Sequence, residues 1–295
     1  MVDGFLIVDK PAGCTSHDIV NRVRRILGTR KVGHTGTLDP FATGVLPIAV
    51  GEGTKAIPFL DEGEKGYQAT LQLGRVTDTL DITGTLVHES DCSAISGATL
   101  RAAMATLTGL IEQVPPMYSA IKQGGQPLYK MARKGLEVER AARQVTIHSF
   151  ELVSFESPLA CVSVRCSRGT YIRSLADDLG RLLGCGACLT DLRRTMSGPF
   201  LLADALTPEQ LEAAVAAGEL DRHLLQPLTM LSHLPSVDLA TNEARLVRHG
   251  QIPYHCTAPD LPEGGNCCLV SDGVLLAVAG KQQGRLVLRR GFGTS

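Results

Sequence analysis

Asp39 is the only acidic residue in a loop and strand made of small and apolar residues. From Gly33 to Gly51 the chain reads GHTGTLDPFATGVLPIAVG and contains no Lys, Arg or Glu. An aspartate before a proline commonly begins a turn, and its side chain can bond to nearby backbone. A carboxylate kept apart from other charges can instead be a reactive group, whose ionisation then depends on its neighbours. The local sequence favours the turn, so a role in catalysis needs support from residues elsewhere in the chain.

Arg173 is a second residue in an unusual position. It follows the turn SRGTY and begins a predicted helix whose apolar stripe comprises Ile172, Leu175, Leu179, Leu182 and Leu183. The first turn of a helix normally favours acidic residues, because the positive end of the helix dipole lies there. An arginine at this point indicates a nearby anion, either a carboxylate or a phosphate, or else a side chain that simply extends into solvent.

Other catalytic motifs are not found in the sequence. GEGTK lacks the spacing of a phosphate-binding P-loop, and there is no G-x-G-x-x-G, G-x-S-x-G, H-E-x-x-H or protein-kinase signature. Cys185 and Cys188 have the spacing of half a zinc site, but no second pair completes it. The nine cysteines are therefore interpreted as reduced thiols. His34 is the only one of the eight histidines near the candidate site.

The surrounding pattern predicts the elements that position these residues. Thr15 to Asp18 reads as a capping box for a helix that ends at Gly28, and GVLPIAVG reads as a buried strand. GYQATLQLG alternates between apolar and polar residues, which predicts a half-buried strand with Tyr67 on its apolar face. Strands separated by isolated helices, without regular βαβ spacing, indicate an α+β fold.

Two parts of the chain differ from this body. Residues 114–145 are rich in Pro, Gly and basic residues and have poor periodicity, which is typical of a functional loop. Beyond a junction near residue 231, short strands joined by the hairpin signal Asp272-Gly273 predict a small β module. We therefore expect a catalytic domain at 1–231 and a second domain at 232–295.

Composition places the chain among ordinary globular proteins. It has 295 residues, of which 44% are hydrophobic and 20% charged, and a net charge of −1. The N-terminus lacks a signal peptide and no apolar run is long enough to span a bilayer, so we expect a cytoplasmic protein without membrane contact. Basic residues concentrate at 22–31, 118–143 and 165–194. Such stretches are compatible with a polyanion-binding face or with ordinary solvated surface.

Five motifs give the chain a resemblance to a known family. In order they are KPAGCTS, GHTGTLDPFATGVLPIAVGEGTK, GYQATLQLGRVTDTLDITG, QVPPMYSAIKQGGQPLYKMARKG and RCSRGTYIRSLADDLG. Together they closely resemble the TruB family of tRNA pseudouridine synthases, and the likeness extends from Phe5 to about Arg194. The resemblance implies the pseudouridine-synthase fold, with a mixed, largely antiparallel central sheet flanked by helices and loops. The tail at 232–295 resembles the family's small, β-barrel-like PUA RNA-binding domain.

The resemblance also implies a reaction and roles for individual residues. The family flips out one uridine of the tRNA T-loop, breaks its N-glycosidic bond and rejoins the base through C5, without a cofactor or a metal. Asp39 matches the nucleophile, Arg173 matches the arginine paired with it, and Tyr67 matches a tyrosine that stacks on the base and takes part in proton transfer. His34 matches a histidine that interacts with the T-loop where the target base has been flipped out. Lys55 and Asp81 match polar residues that line the site, and Leu192 matches a leucine that packs at the pocket. Residues 114–145 match a mobile thumb that closes on RNA.

Elementary chemistry agrees with this assignment. Burial would raise the pKa of Asp39, and an adjacent arginine opposes that rise, so a pair with Arg173 accounts for both unusual positions. Aromatic residues make up only 4% of the chain and there is no Trp, which excludes a protein that stacks many successive bases. The affinity for RNA is then expected to come mostly from phosphate contacts and to fall with salt.

Two other functions remain compatible with the sequence. One is an RNA chaperone that folds tRNA by binding it, alone or in addition to the isomerase activity. The other is a catalytic subunit that depends on guide RNA, although the uninterrupted thumb and the lack of a long basic extension resemble the stand-alone bacterial enzymes. We expect a monomer that requires no protein partner. The sequence leaves open whether Asp39 attacks C1′ or C6, or whether a glycal intermediate forms.

Overall fold

The computed structural model describes residues 2–61, 63–119, 121–132, 134–254, 256 and 260–293. Its strands in chain order are β1 Gly4–Lys10, β2 Val32–His34, β3 Thr43–Val50, β4 Glu64–Leu73, β5 Arg75–Thr77, β6 Leu86–Glu89, β7 Gly109–Gln113, β8 Lys122–Gln123, β9 Gln126–Pro127, β10 Arg143–Glu156, β11 Leu159–Ser167, β12 Ala187–Ser197, β13 Phe200–Leu201, β14 Ser236–Asp238, β15 Asn266–Ser271, β16 Val274–Gln282 and β17 Arg285–Gly291. Its α-helices are α1 Ser16–Leu27, α2 Gly97–Thr106, α3 Leu128–Ala132, α4 Ile172–Leu182, α5 Pro208–Ala216, α6 Pro227–Met230 and α7 Thr241–Arg248. Short 3₁₀ helices cover Gly51–Lys55, Ile57–Phe59, Leu202–Asp204 and Leu220–His223. Within these described ranges, no helix has the length and apolar character needed to cross a membrane.

A mixed central sheet forms the body of the protein. Among the described residues it has nine strands in the order β1-β3-β12-β4-β11-β10-β7, with β2 beside β3 and β13 beside β12. The pairings given for this sheet are antiparallel apart from that of β12 with β3, which run parallel through the pairs Arg193–Thr43 and Arg194–Gly44. The predicted α+β class and the mixed, largely antiparallel sheet are therefore confirmed.

The strands β1 and β3 are buried on both faces. Leu6, Leu46 and Ile48 pack into the main core, to which α1 and α4 also contribute, whereas Phe5 and Val45 lie in a second core shared with the C-terminal strands. Because successive side chains of a strand point to opposite faces, a strand covered on both sides must be apolar at nearly every position. This double burial explains the continuous apolar runs FLIV and GVLPIAV.

Helix α1 begins and ends where the sequence predicts, whereas α4 has no side-chain cap at its N-terminus. The Asp18 amide donates to the Thr15 hydroxyl, and the Thr15 amide donates to the Asp18 carboxylate, which completes the capping box. Gly28 ends α1 in the left-handed conformation, with φ of 63°. Helix α4 has Tyr171 at its N-cap, and Tyr171 makes no side-chain cap bond. The helix that carries Arg173 therefore relies on other residues to hold its first turn.

Strand β4 shows the alternation predicted from GYQATLQLG. Tyr67, Ala69, Leu71 and Leu73 are all buried on the core side of the strand. The strand lies between β11 and β12 in the middle of the sheet. Tyr67 is the register partner of Arg194 on β12, so the central position of β4 brings the predicted tyrosine next to the parallel pairing of β12 with β3.

The C-terminal residues form a second sheet in the order β14-β15-β16-β17. Asp272 and Gly273 join β15 to β16 with φ of 51° and 73°, which confirms the predicted hairpin. This sheet packs on the body through the core that includes Phe5, Val278 and Phe292. The domain boundary after residue 231 and the PUA-like, RNA-binding character of this sheet stay predictions.

Residues 114–145 contain more regular structure than the sequence predicts. A hairpin of β8 and β9 leads into α3, and β10 begins at Arg143, so its first residues belong to the sheet. The Leu128 amide donates to the Ile121 carbonyl over 2.8 Å, and the Tyr129 amide donates to the Ser119 carbonyl over 3.0 Å. These elements are too short for the periodicity of the sequence to reveal them. Positions 120 and 133 lie outside the described residues.

Candidate active site

Asp39 begins a turn, as its sequence predicts, and the backbone makes that turn. The Ala42 amide donates to the Asp39 carbonyl over 3.1 Å, with Pro40 as the second residue of the turn. The Asp39 side chain points to other elements and is 32% exposed. The turn and a catalytic role are therefore compatible, because they use different atoms of the same residue.

The loop around Asp39 is fixed by α1 and β1. The Ser16 hydroxyl accepts a hydrogen bond from the Leu38 amide over 2.9 Å and lies 3.3 Å from the Leu38 carbonyl, to which it can donate. Lys10 is fully buried at the end of β1. Its Nζ donates over 2.8, 2.8 and 3.3 Å to the carbonyls of Pro11, Cys14 and Pro40. These bonds hold the backbone on both sides of Asp39, so the carboxylate has a defined position.

Arg194 anchors the same loop from β12. Its side chain is 1% exposed, and it donates from Nε to the Val45 carbonyl over 2.8 Å and from Nη2 to the Gly36 carbonyl over 3.0 Å. A longer contact of 3.5 Å joins Nη1 to the Thr37 carbonyl. Gly44 permits this approach, because a Cβ there would lie 2.2 Å from the Arg194 carbonyl oxygen and its φ is 101°.

Arg173 forms an ion pair with Asp39. Its Nε lies 2.9 Å from Oδ2, and its Nη2 donates to Oδ1 over 3.1 Å, so the guanidinium faces both carboxylate oxygens. The Arg173 side chain is only 3% exposed, whereas that of Asp39 is 32% exposed. A ligand can therefore reach the carboxylate of this pair but not its cation.

The remaining donors of Arg173 bind the backbone of two other segments. Nη1 donates to the Thr79 carbonyl over 2.9 Å, and Nη2 donates to the Tyr118 carbonyl over 2.7 Å. Asp81 Oδ2 lies 3.7 Å from Nη1, while Oδ1 accepts from the Thr79 hydroxyl and the Thr83 amide over 2.9 and 3.0 Å. Asp81 is thus brought to the site as predicted, but it lies buried against Arg173 rather than lining an open pocket.

Burial raises the pKa of Asp39 above its usual range. The Arg173 cation opposes this rise, the Asp81 carboxylate adds to it, and the Lys10 ammonium opposes it. The sequence predicted that Arg173 opposes the effect of burial on the pKa of Asp39, but not that burial outweighs Arg173. A carboxyl group whose pKa is moved by burial and by named charges is typical of a functional site.

Tyr67 and Leu192 lie in the core beside the Asp39 loop. Both belong to the main core together with Leu38, the residue before Asp39. Burial raises the pKa of Tyr67 to about 12, and the neighbouring Arg194 guanidinium opposes that rise. In the unbound protein Tyr67 is therefore a neutral phenol at physiological pH.

His34 and Lys55 are placed differently from the other predicted residues. His34 is half-buried on β2, beside β3. Lys55 Nζ lies 2.6 Å from Glu52 and donates to the Gly291 carbonyl over 3.1 Å. The Asp39 loop precedes β3 and Lys55 follows it, and a strand of this length separates its ends by about 20 Å. Lys55 thus joins the body to β17 rather than lining the pocket, and its contact with RNA stays a prediction.

The sequence reasoning missed Lys10 and Arg194, although an alternation signal was available for both. Lys10 has the same parity on β1 as Leu6, which faces the main core, and Arg194 has the same parity on β12 as Leu192. A charged residue on the buried face of a strand needs hydrogen-bond partners. Here those partners are the carbonyls of the loop that carries Asp39.

Most arginines of the basic stretch 165–194 are paired with acids of the protein or bound to its backbone. Beyond Arg173 and Arg194, three of them make ion pairs at 2.6, 2.8 and 2.6 Å, which are Arg165–Glu64, Arg181–Asp177 and Arg193–Asp9. This stretch is therefore not a continuous basic face in space. Charge runs read from sequence overestimate such faces, because neutralising acids such as Glu64 and Asp9 lie far away along the chain.

Comparison with known proteins identifies the family of this site. Residues 24–172 match the TruB family pseudouridylate synthase N-terminal domain. Residues 173–231 match the tRNA pseudouridylate synthase B C-terminal domain. The chain belongs to the TruB family of pseudouridine synthases. The family predicted from the motifs is confirmed, and the protein is accordingly an isomerase.

Relatives of the TruB family cover nearly the whole chain. The chain is 50% identical over 283 residues to tRNA pseudouridine synthase B of Geobacter sulfurreducens, which covers 94% of this chain and 93% of the relative. It is 47% identical over 267 residues to the enzyme of the same name from Pseudomonas aeruginosa, with 90% and 86% covered. With this identity over most of the chain, the assignment to the TruB family does not depend on any single one of the motifs in residues 5–194.

Two solved structures of larger assemblies contain a chain that shares the fold. A chain in the structure of an H/ACA RNP bound to a substrate RNA containing 2′-deoxyuridine superposes with a TM-score of 0.73 at 23% identity, covering 99% of this chain and 85% of that one. A Cbf5-Nop10-Gar1 complex gives a TM-score of 0.73 at 25% identity, covering 99% and 84%. The coverage includes the C-terminal sheet, so the whole chain follows an architecture that these proteins also have.

Proposed function

We propose that this protein converts one uridine in the T-loop of tRNA to pseudouridine, with Asp39 as the nucleophile. In this reaction the bond between N1 of uracil and C1′ of ribose breaks, the base turns, and C5 bonds to C1′. The hydrogen on C5 leaves as a proton and N1 gains one. No electrons are gained or lost overall, so the site has to supply a nucleophile, a counter-charge and a proton carrier.

The observation that carries this proposal is the contrast in exposure within the Asp39–Arg173 pair. The carboxylate is 32% exposed and the guanidinium 3%, which suits a carboxylate that contacts substrate and a cation that stabilises its ionised form. The tRNA substrate is supported by the relatives named tRNA pseudouridine synthase B, which are 50% and 47% identical. The carboxylate serves equally for attack at C1′, for attack at C6 and for a route through a glycal.

The roles of the other residues follow from their positions. The target uridine must leave its stack, at a cost of a few kcal/mol, before Asp39 can reach it. Tyr67, whose pKa of about 12 keeps it neutral, offers its ring to the flipped base and its hydroxyl as a relay, which accepts the C5 proton on oxygen as it releases its own proton to solvent. Leu192 packs beside Tyr67, His34 contacts the T-loop that the base has left, and Asp81 orients Arg173.

Binding of the tRNA is proposed to involve residues 114–145 and 232–295. Lys122, Lys130 and Lys134 supply cations on the first segment, and Arg289 and Arg290 of β17 supply them on the second. Contacts of this kind with phosphates release counterions and weaken steeply as salt rises. In this proposal the protein acts in the cytoplasm as a monomer on bare tRNA.

The test is release of tritium from an unmodified tRNA transcript that carries [5-³H]uridine, with no guide RNA or protein partner added. Wild type should release one equivalent per tRNA, because bonding through C5 expels that hydrogen. Asp39→Ala should release none. The matched control is Asp91→Ala, since Asp91 bonds only its neighbour Ser93 among the hydrogen bonds given for it, and it should behave as wild type.

Other outcomes identify the alternative functions. Binding of tRNA without release by wild type would contradict the isomerase on that substrate and favour an RNA chaperone. Release that occurs only when guide RNA and partner proteins are supplied would favour a guide-dependent subunit. Refolding of tRNA by Asp39→Asn, without modification, would indicate a chaperone activity in addition to the isomerase.

A further inference from the structure

Gln113 is a buried polar residue at the point where residues 114–145 leave the sheet. It is the last residue of β7 and is 2% exposed. Its Nε2 donates to the Tyr171 carbonyl over 3.1 Å, and its Oε1 accepts from the Tyr171 amide over 2.7 Å. One side-chain amide thus binds both polar groups of a single backbone residue on another element.

Tyr171 is the N-cap of α4 and makes no side-chain cap bond. The first amides of a helix lack intrahelical partners, and a cap contributes about 1 kcal/mol to holding them. Gln113 holds the N-cap residue of this helix from outside it, across 58 residues of sequence. Arg173 is only two residues further along, so the position of its backbone depends on this contact.

The backbone that follows Gln113 reaches the same arginine by a second route. The Ser174 hydroxyl donates to the Val114 carbonyl over 2.9 Å. The Tyr118 carbonyl accepts from Arg173 Nη2 over 2.7 Å, and the same nitrogen donates to Asp39. Gln113 therefore stands between two supports of Arg173: its side chain fixes the start of α4, and its backbone begins the segment that presents the Tyr118 carbonyl.

We propose that Gln113 is a positioning residue that sets the geometry of the Arg173–Asp39 ion pair and through it the rate of isomerisation. The guanidinium must face both carboxylate oxygens while it also reaches the carbonyls of Thr79 and Tyr118. A displacement of about 1 Å in a group that orients a reacting residue can cost about 100-fold in rate. The effect on rate rests on the proposed function, whereas the effect on the ion pair does not.

The test replaces Gln113 with methionine, which keeps the side-chain length and removes both hydrogen bonds. The matched control is Gln210→Met, because Gln210 also accepts from the backbone amide of a helix N-cap, that of Thr207 at the start of α5, over 2.8 Å. Single-turnover tritium release at saturating tRNA is measured against pH for both variants. The dissociation constant of the tRNA complex is measured in parallel.

We expect Gln113→Met to slow release about 10- to 100-fold at neutral pH, with tRNA affinity within about threefold of wild type, and Gln210→Met to match wild type. The acid limb of the rate should move to higher pH in Gln113→Met, because a displaced Arg173 opposes the raised pKa of Asp39 less well. A slower rate with an unmoved acid limb, or a loss explained entirely by weaker tRNA binding, would overturn the proposal.

A second measurement does not need activity. The free energy of unfolding is determined across pH for wild type and Gln113→Met, each with and without Asp39→Asn. The gain from Asp39→Asn at neutral pH should be larger in the Gln113→Met background, and equal gains would refute the positioning role. If wild type releases no tritium, the proposed function fails while this measurement still decides the role of Gln113.

Ser174→Ala provides a second variant in case Gln113→Met does not fold. It removes only the bond from α4 to the Val114 carbonyl, on the far side of Arg173 from the capping contact. It should shift the acid limb in the same direction by a smaller amount. An unchanged acid limb in Ser174→Ala, when Gln113→Met cannot be measured, would count against the proposal.

Discussion

Replacing Arg194 with methionine removes a buried cation and leaves the side-chain volume nearly unchanged. Arg194 is 1% exposed and holds the Val45 and Gly36 carbonyls over 2.8 and 3.0 Å, with a longer contact to Thr37. Each hydrogen bond from a charged donor is worth about 1.5–3 kcal/mol, and the Val45 carbonyl would stay buried without its donor. Methionine avoids the cost of burying a guanidinium, which offsets part of the loss. We expect a net destabilisation of about 2–4 kcal/mol.

The assay is urea unfolding followed by circular dichroism, supported by calorimetry. For domains of this size 1 kcal/mol corresponds to about 2–4 °C in Tm, so Arg194→Met should lower Tm by roughly 5–15 °C. The control is Arg193→Met, the neighbouring residue on the same strand. Arg193 is 34% exposed and pairs with Asp9 at 2.6 Å, a type of ion pair worth about 0–1 kcal/mol.

The reasoning is refuted if the two variants are destabilised equally, or if Arg194→Met loses less than about 1 kcal/mol. Either result would mean that the loop carrying Asp39 does not depend on this cation. A second consequence concerns activity. Because Gly36 and Thr37 precede Asp39 by only two or three residues, Arg194→Met should slow tritium release even at temperatures where it remains folded.

Three further predictions concern the site and the junction with the C-terminal sheet. The folded protein raises the pKa of Asp39 and therefore binds a proton there more tightly than the unfolded chain does, so stability falls as pH rises from the ordinary aspartate range through the raised value. Asp39→Asn should remove this decline in urea unfolding across that range and should be at least as stable as wild type at neutral pH. A steeper decline in Asp39→Asn would contradict the prediction. Tyr67→Phe should keep its tRNA affinity in filter binding but lose about 100-fold or more in single-turnover rate, and a loss confined to binding would argue against proton transfer. Glu52 accepts from the Gly293 amide and from Lys55, both over 2.6 Å. Glu52→Gln should therefore weaken tRNA binding and speed proteolysis near the C-terminus, with little change in single-turnover rate. A fall in that rate as large as the fall in tRNA affinity would indicate a role in the pocket.

Sequence could predict those site residues that stand out in their local sequence. Asp39 is distinguished by its apolar surroundings and Arg173 by its place at a helix start, and the family resemblance links the two. The prediction that Lys55 lines the site did not anticipate its position, because Lys55 donates to the Gly291 carbonyl, which only the packing of the C-terminal sheet brings near.

Other features required contacts that no local pattern contains. The basic stretch 165–194 reads as a surface, but Glu64 and Asp9 neutralise two of its arginines from strands far away in sequence. Gln113 carries no signal at all, because a single polar residue at a strand end is usually exposed. The net rise in the pKa of Asp39 likewise depends on its burial and on charges that come from Arg173, Asp81 and Lys10, which are distant in sequence.

The parallel pairing of β12 with β3 has a consequence for synthesis of the protein. Asp39 lies in the loop before β3, on one side of β12, and Tyr67 lies in β4 on the other side. β12 pairs with β4 and joins β3 through the pairs Arg193–Thr43 and Arg194–Gly44. A nascent chain that has emerged as far as residue 186 already contains Asp39, Tyr67 and Arg173 but not the strand that aligns them. In the proposed function, the growing polypeptide stays inactive until β12, which begins 14 residues after Arg173, has left the ribosome.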